Sequence, residues 1–129
     1  MMNRDIRKEA TDLNAVTFED AMIWLPQLVQ ARMRAGDRVI RDRTFRNCLL
    51  GGPAVFLAVG GVQFDGCNFG WGGGDMKSLL LRPVSDGKVV GAVPFENCVF
   101  VDCEFANVGY TGPEKFIEAM LAVPVEGPA

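Results

Sequence analysis

Residues 93–110 read VPFENCVFVDCEFANVGY, and a large ring occurs at every fifth position from Phe95 to Tyr110. A small apolar residue stands two places before each ring, at Val93, Cys98, Cys103 and Val108. A helix returns to the same side about every 3.6 residues and a strand every second residue, so neither would keep all the rings on one side. The period of five therefore predicts a chain that coils, with one inward pair on each short side.

Two earlier segments carry the same spacing, because Phe-x-x-Cys begins at Phe45, at Phe64 and again at Phe95. Cys-Val-Phe-Val-Asp and Cys-Glu-Phe-Ala-Asn follow each other over 98–107. These units resemble those of the pentapeptide-repeat family, in which a small residue precedes Leu or Phe by two positions. The resemblance implies a right-handed quadrilateral β-helix of about 20 residues per coil. The step from Cys48 to Cys67 is 19 residues.

The fold expected from these repeats is mainly β: a short right-handed parallel β-helix of about three coils in one domain over 1–129. Stacked strands lie about 4.8 Å apart, so we expect Cys48, Cys67 and Cys98 to form an inward ladder. We interpret the four cysteines as reduced core residues, since free Cys behaves as a small hydrophobe. With no C-x-x-C pair and no His, the sequence predicts neither a metal site nor a cofactor.

An amphipathic helix is expected near the N-terminus, over 16–35. Thr17-Phe18-Glu19-Asp20 resembles a capping box, and apolar residues follow at helical spacing. Pro26 argues for a kink or for two short helices, because Pro inside a helix costs about 3 kcal/mol. The alternative is a further coil, since an apolar residue also recurs every five positions at Phe18, Ile23, Leu28 and Met33.

Two further features complete the organisation expected from the sequence. A capping helix is expected over 112–122, because Gly112-Pro113-Glu114 is typical of a helix start. Its apolar stripe is Phe116, Ile117, Met120 and Leu121. Between the second and third repeats, residues 70–92 predict a glycine-rich loop and a hairpin around Ser85-Asp86-Gly87.

Composition excludes several classes of function. The chain contains no His, which removes Ser-His-Asp catalysis and imidazole zinc sites. No stretch of about 20 apolar residues is present, and the first residues lack the apolar core of a secretory signal, so the expected location is the cytoplasm. Catalysis by outward carboxylates is the weaker hypothesis; the candidates are Asp65, Glu96, Asp102 and Glu104.

Basic residues are concentrated in the first third of the chain, with a net charge of +2 over 1–46 and −5 over 47–129. The arginine cluster at 32–46 is expected either to be a solvated strand edge or to contact an acidic partner, an anionic membrane or nucleic acid. Nucleic acid is not the expected partner, since the overall charge is −3.

The function expected is that of a non-enzymatic interaction or scaffold protein, which binds a protein partner or itself through β-helix faces. The candidate partner-binding residues are Arg38, Arg41, Arg43, Trp71 and Asp86. Three alternatives remain: a DNA-mimicking topoisomerase inhibitor, as the family resemblance suggests, a carbohydrate-active enzyme, and peripheral membrane contact through Thr17–Ala35.

Overall fold

A computed structural model describes residues 6–70, 79–82 and 91–122 of the chain. Over these residues short strands predominate and two α-helices are present. The elements in chain order are β1 (Lys8–Glu9), β2 (Thr17–Glu19), β3 (Ala21–Trp24), α1 (Leu25–Arg34), β4 (Ile40–Arg41), β5 (Thr44–Arg46), β6 (Leu49–Gly60), β7 (Gln63–Asp65), β8 (Val93–Glu96), β9 (Val99–Val101), β10 (Glu104–Thr111) and α2 (Glu114–Leu121).

The strands form a four-stranded and a six-stranded sheet in which the described strand pairs are parallel. In space the smaller sheet runs β2-β5-β9-β7, and the larger runs β1-β3-β6-β8-β4 with β10 also paired to β6. Apart from β3 and β4, which are both in the larger sheet and are separated by α1, consecutive strands alternate between the two sheets. The prediction of a mainly β fold is therefore confirmed.

One phenylalanine from each strand of the four-stranded sheet points into the core. Phe18, Phe45, Phe100 and Phe64 are in register across the sheet. Their rings stack in that order with centroids 5.1, 4.8 and 5.2 Å apart. Aromatic pairs at such distances add about 0.5–1.5 kcal/mol each to the effect of burial. This ring stack fixes the register of the four strands.

Residues with positive φ turn the chain from one sheet to the other. Asp and Asn adopt this left-handed backbone conformation more readily than other non-glycine residues do. Side-chain hydrogen bonds join two pairs of these corners. Asn47 Nδ2 donates to Asp20 Oδ1 at 2.8 Å, and Asn97 Nδ2 donates to Asp42 Oδ1 at 2.6 Å. The corner residues are Asp20, Asp42, Asn47, Gly61, Gly66, Asn97 and Asp102.

The order of the strands in space differs from their order along the chain. Strand β9 lies between β5 and β7, both of which precede it. Strand β6 makes this possible because it pairs with β3 over Leu49–Gly51, with β10 over Leu49–Leu57 and with β8 over Phe56–Gly60. The segment 93–106 is therefore interleaved between two earlier parts of the chain.

This interleaving corrects the expected alignment of the cysteines. Strand pairing places Cys103 between Cys48 and Cys67, because Glu104 lies opposite both Leu49 and Asn68. Cys98 does not belong to this row; it lies at another corner, where its thiol donates to the carbonyl of Ile40 at 3.3 Å. The predicted ladder of Cys48, Cys67 and Cys98 is wrong, since it assumed that repeats stack in chain order.

The predicted helix over 16–35 is right for 25–34 and wrong before it. Residues 17–24 form β2 and β3, as the alternative interpretation expected for Phe18 and Ile23. Helix α1 begins at Leu25, so Pro26 falls in its first turn, where a missing N–H breaks no intrahelical bond. Leu25 and Leu28 are fully buried in the core.

Helix α2 agrees with the predicted C-terminal helix and has Pro113 at its N-cap. Ile117 and Met120 are buried, and the Phe116 ring lies 6.5 Å from that of Phe64 on the last strand of the smaller sheet. Apart from Gly70, 79–82 and 91–92, the predicted 70–92 loop and hairpin lie outside the described residues.

Candidate functional site

Arg41 is the most highly paired member of the predicted arginine cluster. Its Nε donates to Asp37 Oδ2 at 2.8 Å, and its Nη1 donates to Glu96 Oε1. The hydrogen bond from Arg41 lowers the pKa of the Asp37 carboxyl and raises that of the guanidinium. The charge of Arg41 is therefore balanced within the chain, which weakens its case as a contact for an acidic partner.

The other predicted partner-binding residues do not converge on one site. Arg38 is exposed, whereas Arg43 is half-buried and donates from Nη1 to the carbonyl oxygen of Arg41 at 2.6 Å. Trp71 and Asp86 lie outside the described residues. Arg41 and Arg43 are thus neighbours, but no shared surface with the 70–92 segment is described.

Of the carboxylates proposed for catalysis, Asp65 and Asp102 are neighbours, because the Asp102 N–H donates to the Asp65 carbonyl oxygen at 2.8 Å. Glu104 is buried, and its Oε1 accepts a hydrogen bond from Arg7 Nη1 at 2.8 Å. Arg7 also donates to the backbone oxygen and to Oδ1 of Asn47, at 2.9 and 3.0 Å. Arg7 therefore ties the N-terminal segment to β10 and to the corner before β6. Such an arrangement is typical of a structural network, not of a free general acid or base.

A cleft of about 430 Å³ lies where β6 and β10 run side by side. Its size is within the range of small-molecule sites. However, its described walls hold no charged side chain, and they border the break between Gly70 and Leu79. The lining residues are Pro53, Ala54, Val55, Phe69, Gly70, Leu79, Asn107, Val108 and Gly109. This composition points to no particular ligand.

The outward side of the four-stranded sheet forms a continuous surface of exposed and half-buried residues. We call it the outer face. Because neighbouring residues of a strand point to opposite sides, the residues on either side of each stacked Phe point outward. All of them are exposed or half-buried. They form one row of Thr17, Thr44, Val99 and Gln63 and a second row of Glu19, Arg46, Val101 and Asp65.

The outer face has an apolar centre and a polar margin. Val99 and Val101 on β9 are half-buried, with β5 on one side and β7 on the other. Arg46 and Asp65, on these flanking strands, are both exposed. Parallel sheets are usually covered on both sides. The outer face, whose valine centre is only half-buried, is therefore a candidate docking surface.

Sequence reasoning missed this face, although its signal is present. The outward residues are the immediate neighbours of Phe18, Phe45, Phe64 and Phe100, which the repeat already marked as inward. Val99 and Val101 lie at the centre of the outer face because Phe45 pairs with Phe100 and not with Phe95.

Comparison of the chain with protein-family models, with curated proteins and with solved structures gave no significant match. Neither described helix has the length and apolar content needed to cross a membrane. In α1, the predicted membrane-contacting segment keeps Met33 exposed, whereas Leu25 and Leu28 are buried. Peripheral membrane contact stays a prediction.

Proposed function

We propose that this chain is a protein-binding module whose outer face is one side of a short right-handed parallel β-helix. Three observations support the β-helix: parallel strands in two sheets, an inward ring stack and left-handed residues at the corners between strands of the two sheets. The same observations suit the pentapeptide-repeat resemblance. Solenoids of this kind typically use their flat sides to bind partners.

The observation that carries the proposed function is the arrangement of side chains on the outer face. Protein interfaces combine an apolar centre with a polar rim, and Val99 and Val101 lie inside a margin of polar and charged residues. The charged row contains Glu19, Arg46 and Asp65, so the margin carries a net negative charge. We therefore expect a partner that presents apolar side chains flanked by basic ones.

The small size of the outer face limits the affinity. A standard interface buries about 800 Å² on each partner, which is more than four strands of three residues present. We expect a transient complex in the micromolar range, on the order of −8 kcal/mol. Because such a complex dissociates quickly, its detection requires covalent crosslinking.

The experiment places a photo-crosslinking amino acid at Val101 in the full chain, expressed in its host cells. A matched control carries the same group at Glu118, which is exposed on α2. The proposal predicts one discrete adduct from position 101 and none from 118. The trapped protein is then identified, purified and titrated against the wild-type chain.

Binding of the purified partner should weaken at least about tenfold in Val99→Glu, because a charge would enter the apolar centre. Glu118→Lys should leave it unchanged. A second copy of this chain would appear as an adduct of twice its mass. Equal adducts from both positions, or wild-type binding by Val99→Glu, would refute the outer face as the binding surface.

A further inference from the structure

Three of the four cysteines form a row along one edge of the core. Pairing of the residues that follow them places Cys103 between Cys48 and Cys67 on adjacent strands. Cys48 and Cys103 are fully buried, whereas Cys67 is half-buried and so reaches solvent. We call these residues the thiol row.

Packing alone does not require sulfur in this position. Ala21 occupies the next place beyond Cys48, since Met22 pairs with Leu49, and Ala21 is buried as well. An alanine therefore fits the same edge of the core. The chain places three soft, nucleophilic side chains in succession where a methyl group is accepted.

The thiols of the row donate to carbonyl groups on the neighbouring strands. The Cys103 thiol donates to the carbonyl oxygen of Phe45 at 3.3 Å, and the Cys67 thiol donates to that of Phe100 at 3.3 Å. Because Phe100 precedes Cys103 and Phe45 precedes Cys48 in the chain, each of these thiols is directed toward the segment that carries the next cysteine of the row.

The spacing of the row suits a bridging ion. Neighbouring strands are about 4.8 Å apart, and the cysteines of the row are free. Two metal–thiolate bonds as long as those of zinc, about 2.3 Å each, would span about 4.6 Å. An ion held by two sulfurs in line is therefore compatible with the strand spacing.

We propose that Cys67 and Cys103 bind one soft monovalent cation of the copper(I) class in two-coordinate geometry. Thiolates select this class of ion, and the half-buried Cys67 provides the route from solvent. Both thiols release their protons to water as the two S–Cu bonds form, and copper remains copper(I). No group of three or more His, Cys, Asp or Glu side chains in the described part of the chain is placed to hold a metal, so ions that need more ligands are not favoured.

The electrostatic surroundings of Cys67 support the approach of a cation. The Asp102 carboxylate lies beside Gly66, the residue before Cys67, since a Cβ on Gly66 would lie 2.5 Å from Asp102 Oδ1. A carboxylate beside the entrance attracts positive ions from solution. The lone Cys98 is fully buried at another corner and has no thiol neighbour in the row, which makes it a matched control.

The test uses the reduced full chain, titrated without oxygen with copper(I) against a competing copper(I) chelator. Native mass spectrometry counts the ions, and sulfur-to-copper absorption in the ultraviolet reports the ligands. The expected result is one copper per chain. Cys67→Ala should weaken binding at least about tenfold, whereas Cys98→Ala and Cys48→Ala should bind as the wild type does.

Cys67→Ala is preferred to a Cys103 variant because Cys67 is half-buried and Ala21 already occupies this edge. An unchanged circular dichroism spectrum and melting temperature verify its fold. Three results would overturn the proposal: no copper held against the chelator, an equal loss in Cys98→Ala, or wild-type affinity in folded Cys67→Ala.

Discussion

Strands β10 and β6 run side by side in one sheet, but the segments 93–111 and 49–60 that contain them turn differently. In 93–111 a left-handed Asn or Asp occurs every five residues, at Asn97, Asp102 and Asn107. The chain changes sheets at Asn97 and Asp102, whereas Asn107 lies within β10. Strand β6 contains no such residue and continues for 12 residues in one sheet. The comparison shows that the apolar spacing alone does not determine where the chain changes sheets.

The largest effect should come from the rings that the two regions share. Phe56 of β6 stacks on Phe95 at 4.2 Å, and Phe100 stacks on Phe45 at 4.8 Å. Phe56→Ala and Phe100→Ala should each lower the free energy of unfolding by about 3–5 kcal/mol, measured by urea denaturation. If Phe56→Ala cost less than 1 kcal/mol, β6 would not share the core of 93–111.

Arg7 links Asn47, in the corner before β6, to the buried Glu104 on β10. Arg7→Leu leaves Glu104 buried without that partner, so we expect a loss of about 3 kcal/mol. The paired variant Arg7→Leu/Glu104→Leu should recover part of the loss, because no charge is then stranded. A double-mutant cycle in urea measures this coupling. If the losses of the two single variants simply added in the double variant, the two side chains would not be coupled.

The need for a left-handed residue at the corners is tested at Asn97, which has φ 53° and whose Nδ2 donates to Asp42 Oδ1. Asn97→Val should cost about 1–3 kcal/mol, because a β-branched residue is strained in the left-handed region. Asn97→Gly should be milder, since glycine accepts this conformation. A higher melting temperature for Asn97→Val than for Asn97→Gly would contradict this requirement.

Tyr110, the last ring of the five-residue series, makes stability depend on alkaline pH. Its hydroxyl is buried and donates to the Phe69 carbonyl at 2.9 Å; burial raises its pKa well above 10. The unfolded chain loses this proton above about pH 10 while the folded chain retains it, so stability falls by about 1.4 kcal/mol per pH unit there. The difference in the free energy of unfolding between pH 8 and pH 11, measured by urea denaturation, should be smaller in Tyr110→Phe than in the wild type.

The smallest effect is expected at Arg41, whose ion pairs with Asp37 and Glu96 are exposed. Arg41→Gln should leave the urea midpoint nearly unchanged, because solvent and salt screen surface pairs. Any loss should disappear in concentrated salt. A loss that persists there would show that Arg41 stabilises the corner by packing.

The local features of the fold were accessible from sequence, but the order of the strands was not. The inward rings and the start of α2 follow from spacing and from Pro113. Phe95 and Phe100 carry the same unit, so sequence alone does not show which of them pairs with Phe45; β9 resolves this by lying between β5 and β7. The outer face depends on that register, and this is why it was missed. The position of α1 was also not predicted correctly: Pro26 favours a kink or two short helices within 16–35, whereas in the structure it lies in the first turn of α1.

The interleaved strand order has a consequence for synthesis on the ribosome. Strands β5 and β7 emerge before β9, the strand that separates them. The nascent chain must therefore keep a gap open, or release a premature pairing of β5 with β7, before 93–106 is translated. Contacts between distant parts of a chain form slowly and leave edges exposed meanwhile. Stalled chains that end before residue 93 should therefore be good substrates for chaperones.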